Sequence, residues 1–140
     1  MRIIVGYGNT LRGEDAFGVD VLNQLQQYSV KKQLTSTKLI TVFQLTPELC
    51  LELLDAQELV FIDACYSNTE HYRLACSMES FGSINLSHHI SPKVILSLLS
   101  NVYNKNPKYE IWSMMTNSFD NILDENSYTL CINKISNYLK

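Results

Sequence analysis

Apolar runs of strand length alternate with stretches of helical spacing from one end of the chain to the other, and that alternation leaves few folds open. "RIIV" (Arg2 to Val5) reads as a short buried strand. From Phe17 the apolar positions Phe17, Val21, Leu25 and Tyr28, with Leu22 beside them, recur at helical spacing. "KLITVFQL" (Lys38 to Leu45) reads as a second strand, and "TPEL" then offers Thr46 as N-cap and Pro47 as first residue of a helix reaching about Ala56. "ELVFIDA" (Glu58 to Ala64) is apolar enough for a strand buried on both faces. "HYRLACSME" (His71 to Glu79) alternates more and suits a strand nearer an edge. "SHHISPKVILSLLSNVY" repeats the capping chemistry, with Ser91 as N-cap, Pro92 at the first helical position, and Val94, Ile95, Leu98, Leu99 and Val102 as its buried stripe. "YEIWSMM" (Tyr109 to Met115) is a last strand, and Tyr128, Cys131, Ile132, Ile135, Tyr138 and Leu139 mark a terminal helix.

Such alternation predicts an α/β fold: a three-layer sandwich with a mostly parallel twisted sheet of about five strands and helices on both faces. The strand from His71 follows its predecessor too closely for a parallel crossover, so it is expected to run antiparallel. One domain, residues 1–140, accounts for the whole chain, which shows no internal repeat and no linker. Charge and composition narrow the partners. The net charge is -3 without a basic run, which gives a nucleic-acid partner no support. No apolar stretch approaches the roughly 20 residues that span a bilayer. The start enters a strand at once, unlike a secretory signal, so a cytoplasmic protein is expected. Cys50, Cys65, Cys76 and Cys131 form no CxxC pair, and free thiols packed in a core are their expected state.

In open α/β sheets ligands sit beyond the carboxyl ends of the strands, near the point where strand order reverses. Three loops answer to that rule: those after Val5, after Ile62, and before Pro92. The first, "GYGNTLRGEDAFG" (Gly6 to Gly18), has the look of a phosphate cradle but not its chemistry. A dinucleotide fingerprint needs a third glycine where Leu11 stands. A P-loop needs lysine and a hydroxyl where Glu14 and Asp15 stand, and two carboxylates there repel a phosphate. Acids at this place suit a cation instead. Glu14 alone reads as a first-turn acid that complements the helix dipole. Asp15 gains weight from two other places. Asp63 ends the run "LVFID", where an acid can also simply cap a turn, and His88 and His89 precede the Ser91 cap. All three map to one edge of the predicted sheet. Two carboxylates and an imidazole suit a borderline transition metal such as nickel, zinc or manganese.

Taken together the blocks resemble the hydrogenase maturation proteases, cytosolic endopeptidases that finish [NiFe] hydrogenases. That family opens with a strand and a loop of the form G-x-G-N-x-L-x-x-D-[DE]-[AG]-x-G, here Gly6 to Gly18. An apolar strand ending in Asp-Ala follows as "LVFIDA", then a histidine before a leucine-rich helix as "SHHISPKVILSLL". The resemblance implies metal-binding and catalytic roles for Asp15 and Asp63, with His88 as the third ligand and His89 as the alternative. Gly6, Gly8, Asn9 and Gly18 would shape the loop. It further implies a monomer that cuts a short C-terminal extension from the large-subunit precursor once nickel is inserted. Nickel would be supplied by the substrate, and zinc, cadmium or manganese could take its place in vitro. Three features depart from the family pattern: Glu14 replaces aspartate, the turn "CYSNTEH" lacks a glycine, and Cys65 sits near the proposed site. Cys65 reads as a bystander, with a soft ligand or reactive thiol as alternatives. The rival readings are a non-cleaving metal-sensing module, another metallohydrolase and a nucleotide-binding protein. A serine or cysteine hydrolase is weaker, because no G-x-S-x-G elbow occurs and the histidines number three.

Overall fold

The computed structural model describes residues 1–30, 36–77 and 90–140. Five strands form one sheet: β1 (Arg2–Tyr7), β2 (Thr37–Val42), β3 (Glu58–Tyr66), β4 (Arg73–Ser77) and β5 (Lys108–Thr116), in the order β2-β1-β3-β5-β4. β1 pairs in parallel with β2 and β3, β3 pairs in parallel with β5, and β4 runs antiparallel to β5. This is the mostly parallel α/β fold that the alternation of elements predicts, with its single reversed strand.

Side-chain alternation along the strands splits the core into two layers. On one face Ile4, Val60, Ile62 and Met114 pack against α1 (Phe17–Val30) and α3 (Glu125–Leu139). On the other Ile3, Val5, Leu59, Phe61 and Ile111 meet Ile95 and Leu99 of α2 (Pro92–Tyr103) and Leu49 and Cys50 of a short helix. Among the described residues no helix is long and apolar enough to cross a membrane.

Local expectations meet several corrections. The segment after Thr46 is a 3-10 helix, Pro47–Glu52, and β2 ends at Val42 rather than Leu45. Thr46 and Ser91 hold extended N-cap backbones but make no side-chain cap bond; the fixed φ of the following proline suffices to start each turn. The buried face of α2 is narrower than its apolar pattern: Ile95 and Leu99 are enclosed, while Val94 and Val102 face solvent. Tyr138 is likewise exposed, its ring set edge-on to Trp112. All four cysteines are free, but only Cys50 and Cys131 are buried; Cys65 is half-buried and Cys76 exposed. β4 begins at Arg73, which leaves His71 in the turn before it; Met78 and Glu79 lie outside the described residues.

Candidate functional site

Strand order reverses between β1 and β3, because the β1–α1–β2 unit leads one way and β3 continues the other. The carboxyl ends of these two strands therefore flank the place where an α/β sheet takes its ligand. Backbone contact draws the first loop over that seam. An added Cβ at Gly18 would stand 2.1 Å from the Ile62 carbonyl oxygen and 2.9 Å from the Tyr7 nitrogen. Only a glycine lets the start of α1 lie directly on both strands. Gly8, at φ +147°, would bring a Cβ to 2.0 Å from the Asp15 carbonyl oxygen, so the loop closes on itself there. Asn9 tightens the same turn: its side chain accepts from the Leu11 amide at 2.9 Å, and its own amide donates to Asp15 Oδ2 at 3.1 Å. Asp15 is thereby held at the end of a 3-10 turn, Gly13–Ala16, with no other donor on its carboxylate among the described residues.

Asp63 arrives from β3. It is not a strand-end residue, since the strand runs three residues further, to Tyr66. Its Oδ2 accepts the Tyr7 hydroxyl and its Oδ1 the Ser113 hydroxyl, each at 2.5 Å. Burial raises its pKa to about 6; the hydroxyls of Ser113 and Tyr7 pull it down, and the nearby negative charge of Asp15 pushes it up again. That last effect shows that the two carboxylates share one electrostatic neighbourhood. Burial and the Asp63 charge also raise the Cys65 thiol, which disfavours the thiolate. Cys65 is accordingly a poor nucleophile as it stands.

Glu14, the neighbour of Asp15, is not a solvent-facing helix-dipole acid. Its side chain is fully buried and accepts from His71 Nε2 at 2.7 Å, from the Leu123 amide at 3.1 Å, and from the hydroxyls of Tyr72 and Thr116. Burial pushes its pKa up, but these four donors outweigh that and hold the carboxyl below its ordinary value.

The structure thus sets Asp15 and Asp63 at one edge of the sheet. His88 and His89 lie outside the described residues; α2, which they precede, packs on the sheet face that carries Asp63 and Tyr7. Among the described residues no three His, Cys, Asp or Glu side chains gather as a metal-holding set. Two carboxylates with no basic side chain paired to either, among the described residues, fit a cation and still need a further ligand. Sequence reasoning missed Tyr7, Ser113 and the donors to Glu14. A signal for the first existed. The two-residue alternation that places Val5 in the α2-side core places Tyr7 on that face as well, and Asp63 follows Phe61 in the same way.

No family model and no curated protein matches the chain by sequence. Its fold, however, is that of solved hydrogenase maturation proteases. The HycI maturation protease of Thermococcus kodakarensis superposes with a TM-score of 0.73 at 17% identity, over 99% of this chain and 91% of that one. The hydrogenase maturating endopeptidase HybD of E. coli gives 0.75 at 17% identity, over 99% and 88%. HybD of T. kodakarensis gives 0.69 at 14% identity, over 99% of each chain.

Proposed function

We propose that this protein is an endopeptidase that removes the C-terminal extension of a [NiFe] hydrogenase large-subunit precursor after nickel insertion, and that the nickel carried by the substrate is what its carboxylates read. The observation that carries this is the joint placement of Asp15 and Asp63 at the switch point, in a fold shared along nearly its whole length with maturation endopeptidases. Asp15, Asp63 and His88, with His89 as the alternative, would face the nickel. Bound there, the cation supplies positive charge that polarises the scissile carbonyl. The protein's own groups do the rest. Asp15 keeps one carboxylate oxygen without a donor among the described residues, so it can take a proton from an attacking water. Asp63, held by two hydroxyls, anchors the cation end of the substrate. Zinc, cadmium or manganese would occupy the same donors in vitro. The protein works as a cytoplasmic monomer.

The test is a gel shift of nickel-loaded precursor mixed with purified protein. Wild type shortens the precursor, whereas Asp15→Ala, Asp63→Ala and His88→Ala each lose activity by at least about 100-fold, the scale of a missing acid–base group. Normal cleavage by all three variants would refute the site. A wild type that binds the precursor and never cuts it would make the protein a metal-sensing binding module instead.

A further inference from the structure

Asp63 sits on the central strand, and a hydroxyl reaches it from each neighbour. Tyr7 comes from β1 and Ser113 from β5, where it is the direct cross-strand partner of Asp63. Each hydroxyl takes a different carboxylate oxygen, at 2.5 Å. Ser113 is buried, and the Tyr7 ring packs into the α2-side core, so neither donor is a free surface group. The last torsion of an aspartate is broad and settles only when its oxygens are engaged. Here both are engaged, by groups fixed in two different strands.

We infer that Tyr7, assisted by Ser113, is a positioning residue that locks the Asp63 carboxylate in one orientation and aims its remaining lone pairs at the cation the substrate brings. The inference rests on the reading that Asp63 faces that cation. Each donated hydrogen bond draws negative charge from an Asp63 oxygen and makes it a weaker base, but a better placed ligand. Phenylalanine would fill the same space and lack the one atom that touches Asp63.

Tyr7→Phe tests this directly, with two readouts and a control for folding. Cadmium binding to the protein alone is measured by calorimetry, and kcat and KM are measured on nickel-loaded precursor. Tyr7→Phe is expected to weaken cadmium binding and lower kcat by about tenfold each, the usual scale for a lost partner of a metal ligand. KM for the nickel-loaded precursor should rise, because the cation is part of the substrate, while the thermal midpoint should move little. In the Asp63→Ala background the same change should add nothing to the loss of cadmium affinity. Wild-type cadmium affinity and kcat in Tyr7→Phe would overturn the inference while an active wild type keeps the protease reading. An equal loss with Asp63 already removed would overturn it too. A wild type that neither binds cadmium nor cuts would fail the protease reading itself, and the role of Tyr7 with it.

Discussion

Asp63 carries a cost that a purely structural residue would not. Its folded-state pKa, about 6, lies above the ordinary value of 3.8 because burial and the Asp15 charge disfavour its ionised form. The folded protein therefore binds this proton more tightly than the unfolded chain does. The stability Asp63 contributes is complete below pH 3.8 and is lost as pH rises to about 6. Asp63→Asn in the metal-free protein should then gain stability relative to wild type as pH rises from 4 to 7.5. Two pKa units set an upper limit near 3 kcal/mol; its partial exposure and the exchange of one hydrogen bond reduce the expected gain to roughly 1–2 kcal/mol. Denaturant melts at both pH values check it, and a pH-independent difference would contradict it. At this scale the sequence is least legible. Glu14 and Asp15 are adjacent acids in one loop, and nothing local separates the buried structural carboxylate from the one left open. The groups that decide it, His71, Tyr72 and Thr116, lie 57, 58 and 102 residues away.

Between elements, Glu14 acts as a clasp. It joins the loop after β1, which carries Asp15, to the turn before β4, the end of β5 and the lead into α3. Tyr72 accepts a left-handed backbone, φ 59°, to deliver its hydroxyl there, and the same oxygen accepts the Asp124 amide at 2.8 Å. His71 stacks flat on the Tyr72 ring, with centroids 3.7 Å apart. Glu14→Ala removes the shared acceptor of four donors, the buried Thr116 hydroxyl among them, so a loss of about 3–5 kcal/mol is expected in chemical denaturation, the range for breaking a buried charged network. A loss under about 1 kcal/mol would show that water replaces the carboxylate without difficulty. The elements themselves were largely readable beforehand. Their apolar periods are local, as in Phe17, Val21 and Leu25, and the short link ahead of β4 announces its reversal. Strand order and the 3-10 form of Pro47–Glu52 depend on packing across the sheet, which periodicity does not carry.

For the whole molecule, the decisive quantity is unbalanced charge at one rim. The net charge is -3, and the arginine ion pairs among the described residues, Arg12–Asp120 and Arg73–Glu70, leave Asp15 and Asp63 without a cation at ion-pair distance. The fold places these two acids together at the switch point, where an α/β sheet takes its ligand. An uncharged stretch of substrate brings nothing to offset them. A divalent ion about 4 Å from one carboxylate gains roughly 8 kcal/mol at an effective dielectric of 20, before the cost of shedding water. Even if most of that is cancelled, a remainder of about 3 kcal/mol separates loaded from unloaded precursor by roughly 100-fold in binding. Precursor purified without nickel should therefore be cut at least about 100-fold more slowly than the loaded form at the same concentration, and restoring nickel to it should restore the rate. Initial rates on the two preparations decide the matter. Equal rates would mean that the paired acids act on the peptide without a cation, and that nickel is not what admits the substrate.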